Sequence, residues 1–406
     1  MTNEDVQDPL NEVGVHFCLV SKQAAVNLLP VEHYRPNAVV LFVSHEMQAQ
    51  ARDLQAAMLK SLPGLRINII SLADAWDLAG VRDAVWGQLE GLCCDVNQIA
   101  VNVTGGTKIM MLGALLAASA AGARCFYLNE SDNSISLIDP DSNDGSRRMQ
   151  KVRLQTKVET YLKAYGFQVE DSSRMPSVSM PEKMLIESLI NTPSFRDVMP
   201  LLNMLSTDRE TEKALKVSFK GRIPPQNRAA FDALCDRFIQ TGHLNIRGDI
   251  MTFPSEADRF FVAGGWLERY VFNTLSDMKM KPEGNITVIG DAKNEIDVAF
   301  FHEGSLCIVE CKTGNLSASE DANQVIYKLE SLKKLGGIKT KLILVSYKPI
   351  SAKSNIRATG DKTHILLIQG DQLKRLKDNL TRPRLALIFK GLRLGENPRE
   401  KRRVMS

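Results

Sequence analysis

Gln98–Glu130 reads QIAVNVTGGTKIMMLGALLAASAAGARCFYLNE, and its punctuation decides the fold of the first third of the chain. A short apolar run leads into a glycine-rich turn. An Ala-rich apolar stretch follows at 109–123, and a second apolar run closes the segment. The apolar stretch is too short to span a membrane and reads as a buried helix. Strand, turn, helix, strand is the unit of a parallel sheet. The same rhythm extends toward the N-terminus. Residues 14–20 (GVHFCLV), 38–44 (AVVLFVS) and 66–72 (RINIISL) are continuous apolar runs suited to strands buried on both faces, and 46–61 is helical. Residues 125–129 and 135–138 read as a closing hairpin around a polar turn at 130–133. The expectation is a doubly wound, Rossmann-like α/β domain with ligands at the carboxyl ends of its strands.

The turn Asn102-Val103-Thr104-Gly105-Gly106-Thr107-Lys108 opens the apolar helix. A helix N-terminus presents unpaired N–H groups and the positive end of the macrodipole. Two glycines let an anion approach the backbone, and Thr104, Thr107 and Lys108 can add hydroxyl and ammonium donors. The spacing is neither a Walker A loop nor GxGxxG. Ser21, Lys22 and Gln23 follow the first strand and Ser44 the second, so they join the same edge.

N-x-TGGTK after the fourth strand of such a sheet resembles a CARF domain, the sensor of CRISPR-associated cyclic oligoadenylate signalling. The resemblance covers roughly residues 12–145. It implies a homodimer that binds one cyclic oligoadenylate across its two-fold axis, with cyclic tetra-adenylate foremost, and it implies that Gly105, Gly106, Thr107 and Lys108 contact the ligand backbone. A ring with an even number of units can match that symmetry.

The whole chain has 406 residues, enough for two or three domains. With 44% hydrophobic and 24% charged residues it is neither a disordered chain nor a disulfide scaffold. Seven cysteines without paired spacing read as reduced thiols in the cytoplasm, and the acidic, polar start does not read as a signal peptide. The net charge is only +4, but residues 371–406 hold eleven Lys/Arg against four Asp/Glu. The basic tail (Arg399, Lys401, Arg402, Arg403) could touch phosphates or be an ordinary terminus.

A second constellation lies at 295–312. Glu295-Ile-Asp297-Val-Ala-Phe-Phe301 and Leu306-Cys-Ile-Val-Glu310-Cys-Lys312 flank His302-Glu303-Gly304-Ser305. A two-residue loop at Glu303-Gly304 pairs His302 with Ser305. Counting back along both strands sets Asp297 opposite Glu310 and Glu295 opposite Lys312, all on one face. Ile296, Val298, Val309 and Cys311 then share the other face. Facing carboxylates call for a shared proton or a cation, and an all-oxygen set suits Mg²⁺ or Mn²⁺. Lys312 could orient a water or stabilise phosphorane-like charge. Glu295 either joins the metal shell or pairs with Lys312.

The D-x12-E-x-K spacing, after Gly264-Gly265-Trp266-Leu267-Glu268 on an upstream helix, resembles the PD-(D/E)xK nuclease superfamily. The resemblance implies Asp297 and Glu310 as metal ligands, Glu268 as a ligand or metal-water contact, and Lys312 as catalytic. Ile296 stands where the superfamily often has Pro. Gln324, on the next helix (about 319–335), could also face the site.

Between the two units, 152–167 reads as a connecting helix and 168–181 as a linker. Residues 182–255 read as a winged-helix-like outline with a hairpin at Arg247-Gly248-Asp249, either a reader of DNA or a spacer. The expected organisation is a sensor over 1–150, a connector over 151–259 and a restriction-endonuclease-like α/β nuclease over 260–406. This order of motifs resembles the CRISPR ancillary nucleases, cyclic-oligoadenylate-activated and metal-dependent endonucleases of single-stranded RNA and/or DNA or nickers of DNA. The alternative is a ligand-responsive winged-helix transcription regulator with a non-catalytic C-terminal domain. No membrane association is expected.

Overall fold

The computed structural model describes residues 8–130, 132–138, 149–173, 175–290, 293–316, 319–337, 339–350 and 365–381. The basic tail at 399–403 lies outside them. The first unit runs β1 (Val15–Leu19), α1 (Ala25–Tyr34), β2 (Ala38–Val43), α2 (Gln48–Ser61), β3 (Arg66–Ser71), α3 (Leu78–Gly91), β4 (Ile99–Asn102), α4 (Lys108–Ala121), β5 (Arg124–Asn129), β6 (Ser134–Ile138) and β7 (Met149–Lys151). These strands form one sheet in the order β3-β2-β1-β4-β5-β6-β7. The first five are parallel, and β6 and β7 are antiparallel. Every residue of β1 and β4 is buried, as expected of strands covered by helices on both faces. The strand order reverses at β1/β4, so a crevice opens there at the carboxyl edge. Gly113 lets α3 lie close against α4: a Cβ there would sit 2.9 Å from Val81 Cγ1. Outside that contact the pair exposes Trp76, Leu78, Leu112 and Leu116.

The polypeptide then crosses to a second sheet. Only Val158–Ala164 (α5) of the predicted 152–167 helix is helical. The predicted linker is partly a strand: β8 (Gln168–Ser173) forms the edge of the second sheet beside a later strand. Its polar sequence QVEDSS has no apolar alternation, so the pattern that marks a half-buried strand is missing. The middle of the chain contains α6 (Met180–Asn191), α7 (Phe195–Ser206), α8 (Arg209–Ala214), β9 (Lys216–Ser218), α9 (Arg228–Gln240), β10 (Asn245–Arg247) and β11 (Ile250–Thr252). The expected hairpin is β10–β11, and β9 completes a three-stranded sheet in the order β10-β11-β9.

The last unit comprises α10 (Glu256–Phe260), α11 (Trp266–Asp277), β12 (Glu283–Ile289), β13 (Lys293–His302), β14 (Ser305–Lys312), α12 (Ser319–Leu335), β15 (Lys341–Ser346) and β16 (Ile365–Gln369). Its sheet order is β16-β15-β14-β13-β12-β8, with β14, β15 and β16 parallel. One face, carrying Val298, Phe300, Val309 and Val345, packs on α11 and the middle helices. The other face belongs to a single hydrophobic core that also contains Leu28 and Leu54 of the first unit, Tyr161 of α5 and Leu329 of α12. The two α/β units therefore share a core.

Candidate functional site

The β13–β14 hairpin has the predicted register. His302 pairs with Ser305 and Val298 with Val309. Glu303 and Gly304 adopt φ of 45° and 69°, the left-handed pair of a tight hairpin turn. The described β13–β14 pairing stops at Val298–Val309. Beyond it the Asp297 side chain takes over, and its Oδ2 accepts a hydrogen bond from Cys311 N at 2.7 Å. The fork opens where the carboxylates converge. Ile296 departs from expectation: it packs with Ala299 and Phe301 in the shared core rather than with Val298 and Val309. Glu295 is exposed and pairs across to Thr287 of β12, not to Lys312.

Glu310 is fully buried and Asp297 is 14% exposed. Lys312 Nζ lies 2.6 Å from Glu310 Oε1. A second lysine completes the cluster. Lys328 of α12 reaches Oε1 at 2.8 Å and Oε2 at 2.7 Å, and lies 3.8 Å from Asp297 Oδ1. The residue nominated on this helix, Gln324, is one turn earlier and exposed. The i, i+4 spacing puts both residues on one helix face, and the apolar neighbours Val325, Leu329 and Leu332 show which part of it is buried. That signal could have extended the search to Lys328.

Glu268 enters from α11, on the other side of the sheet. Gly264, at φ 134°, allows the sharp entry to this helix, and a Cβ there would lie 2.7 Å from Thr313 Oγ1. Thr313 follows Lys312 directly and accepts a hydrogen bond from Asn203 Nδ2 at 2.8 Å, so α7 also braces the site. Burial, then the neighbouring Asp297, pushes the Glu268 carboxyl up to about 8. Burial and Glu310 push Asp297 up to about 6. For Lys312, burial pulls the ammonium down, but Glu310 and Asp297 more than offset it and hold it above its ordinary value.

The sign of the pH dependence follows. Both carboxyls hold their proton more tightly when folded, so the stabilisation is complete below the ordinary carboxylate range and is lost as pH rises toward about 8. Glu268→Gln is expected to flatten the pH dependence of thermal unfolding between about pH 5 and pH 8, measured in chelator. An unchanged slope contradicts a buried, proton-holding Glu268.

Among the described residues no three His, Cys, Asp or Glu side chains converge into a complete metal cage. Two buried carboxylates with Glu268 in electrostatic reach suit a hard ion that keeps several waters and takes its remaining ligands from a phosphate, as Mg²⁺ does. The donor set therefore fits Mg²⁺ or Mn²⁺.

At the other end of the chain the TGGTK turn sits at the β1/β4 crevice. Buried Asn102 holds it there. Its Nδ2 donates to Val26 O and Asn27 Oδ1, and its Oδ1 accepts from Thr104 N and Oγ1. Asn27 in turn donates to Leu19 O at 2.8 Å. Two predicted contact groups face inward. Thr104 Oγ1 also accepts from Leu128 N, and Thr107 caps α4 by accepting from Met110 N while donating to Ala75 O. Gly105 is buried, with Leu19 O 2.1 Å from where a Cβ would be, and Gly106 has φ 74°. Lys108 is exposed at the first position of α4. Ser21 and Ser44 are half-buried at the ends of β1 and β2. Gln23 lies beyond Ser21, and its Oε1 accepts from Tyr165 OH at 3.3 Å.

Comparison with known proteins finds a family model in each of the two α/β units. Residues 15–160 match the family model of the Card1 CARF domain, and residues 255–387 match that of the Card1-like endonuclease domain. Protein VC1899 from Vibrio cholerae has a similar fold, with a TM-score of 0.77 at 21% identity over 93% of this chain and 98% of that one. Can2 from Sulfobacillus thermosulfidooxidans, solved in complex with cyclic tetra-adenylate, gives a TM-score of 0.69 at 21% identity over 94% of this chain and 99% of that one. No curated protein matches the sequence. The chain thus carries a CARF domain of the Card1 type followed by a Card1-like endonuclease domain.

Proposed function

We propose that this protein is a homodimeric nuclease of CRISPR antiviral defence, switched on by a cyclic oligoadenylate, cyclic tetra-adenylate foremost, and dependent on Mn²⁺ or Mg²⁺. The observation that carries this reading is the Asp297–Glu310–Lys312 cluster around fully buried Glu310, in an endonuclease-family domain that shares a core with a CARF domain. That cluster favours a nuclease over a winged-helix regulator, which has no use for buried carboxylates at a strand fork. The sensor is assigned to 1–150, the connector to 151–259 and the nuclease to 260–406, with Gln168–Ser173 added to the nuclease sheet. The middle domain braces the nuclease: Tyr347 OH donates to Leu189 O at 2.6 Å, and Arg196 pairs with Asp371 at 2.9 Å.

Asp297 and Glu310 would hold the metal, with Glu268 as a further ligand or a contact to its water. The bound ion supplies Lewis-acid polarisation of the phosphodiester and a more acidic water. Lys312, kept charged by its carboxylate neighbours, donates to a phosphate oxygen and stabilises charge as the phosphorane-like state forms. The substrate is a phosphodiester of single-stranded RNA or DNA, or a nickable duplex. Among the described residues no helix is long and apolar enough to cross a membrane. We assign the protein to the cytoplasm.

The dimer is assigned to the apolar face of α3 and α4 that exposes Leu78, Leu112 and Leu116, together with exposed Trp76 just before α3. Calorimetry is expected to give one cyclic tetra-adenylate per two chains. The double variant Leu112→Glu/Leu116→Glu is expected to sediment as a monomer and to bind the ring at least about 10-fold more weakly, because half of a two-fold site is missing. A monomeric variant that binds with full affinity contradicts the shared site.

A further inference from the structure

The helix α12 touches both sites. Its middle supplies Lys328, whose ammonium lies within 2.8 Å of both oxygens of Glu310 and 3.8 Å from Asp297. A positive charge thus already neutralises the carboxylates that a metal would need. Its far end runs into Gly336 and Gly337, which lie against α5, Tyr165 and the sensor residue Gln23. Tyr161 OH of α5 donates to Gly336 O at 2.9 Å. Gly337 has φ 73°, and a Cβ there would lie 2.9 Å from both Gln23 Oε1 and Tyr165 OH. Gln23 belongs to the edge of the CARF sheet where the ligand is expected. Lys328 is nine positions before Gly337, a distance of ~14 Å along a helix. Val325, Leu329 and Leu332 hold α12 in the same core as Tyr161 and Phe301, so the helix moves with what it packs on.

We infer that α12 couples the two sites: Lys328 is a built-in counter-cation that competes with the divalent metal for Glu310 and Asp297, and a ligand that displaces Gln23 and Tyr165 from Gly337 shifts α12 and withdraws Lys328. Lys328 is thus a positioning residue that sets metal affinity according to the state of the sensor. The inference rests on the ligand-switched nuclease reading above. It adds the side chain through which the switch acts, Lys328 of α12. The ligand must prefer the withdrawn arrangement for this to hold, and by linkage the metal must then favour the ligand to the same degree.

The test measures Mn²⁺ binding to the full chain by calorimetry, with and without cyclic tetra-adenylate, in the unaltered protein, Lys328→Met and Tyr165→Phe. Ring binding is measured separately with and without Mn²⁺, and cleavage is followed alongside. In the unaltered protein the ring is expected to tighten Mn²⁺ by about 10-fold, and Mn²⁺ to tighten the ring equally. Lys328→Met is expected to bind Mn²⁺ tightly whether or not the ring is present. Tyr165→Phe is expected to bind the ring but to lose most of the coupling. Mn²⁺ affinity indifferent to the ring and to Lys328→Met, in a protein that binds the ring and cleaves on its addition, overturns this inference while leaving the nuclease reading intact. Failure to bind the ring at all overturns the reading on which it rests.

Discussion

Glu310→Gln is expected to reduce nucleic-acid cleavage by at least ~10²-fold while the protein still binds cyclic tetra-adenylate in chelator. The size follows from removing a pre-organised charge at the reacting centre. The separation of effects follows from position, since Glu310 is fully buried on β14 while the TGGTK turn is at the carboxyl edge of the other sheet. Gln keeps the shape and removes the charge, so Lys312 and Lys328 lose the anion they share. Both ammoniums are about a third exposed and remain hydrated, which is why the fold should survive. Lys312→Met is expected to give a comparable loss of kcat. Circular dichroism and ring binding separate loss of catalysis from loss of fold. Residual cleavage near the unaltered rate would place the chemistry elsewhere.

Gly105→Ala is expected to disable the sensor. A Cβ at this position would stand 2.1 Å from Leu19 O and 3.5 Å from Asn27 Nδ2, and backbone cannot yield as a side chain tip can. The substitution forces apart β1 and the turn and disturbs the Asn27–Asn102 network that fixes the crevice. Overpacking of this kind costs about 1–3 kcal/mol. Ring binding should fall at least about 10-fold, because the backbone proposed to meet the ligand is displaced. Gly106→Ala, strained by its φ of 74° but less crowded, is expected to be milder. The comparison is made by thermal unfolding and calorimetry of the two variants. Equal, small effects would contradict the tight seat of Gly105 against β1.

The inner strands β1, β2 and β4 were legible because each is a continuous apolar run between turn residues, the pattern of a strand covered on both faces; β3 was read the same way, but it lies at the sheet edge and is only partly buried. The register of the nuclease hairpin was legible from its turn as far as Val298–Val309, because a Glu-Gly loop fixes register once its length is known. β8 was not legible, since a polar edge strand has the composition of a linker and is defined only by its partner β12. Ile296 was assigned by alternation to the face of Val298, yet the paired ladder ends at Val298 and alternation no longer governs where its side chain packs. Lys328 escaped because its partner Glu310 is eighteen residues away on another element, so no local spacing links them. The inward turn of Thr104 and Thr107 was hidden for a related reason. A hydroxyl at a helix N-terminus can cap the chain or meet a ligand, and only the positions of Asn102, Leu128 and Ala75 decide which.

The most direct test of the central claim is cleavage of labelled single-stranded RNA, single-stranded DNA and supercoiled plasmid with Mn²⁺, in the presence and absence of cyclic tetra-adenylate. Glu310→Gln serves as the control. The account predicts cleavage of at least one substrate only when the ring is present, and none by the variant. A protein that binds the ring yet cleaves no substrate, or one that cleaves equally without it, would contradict the account.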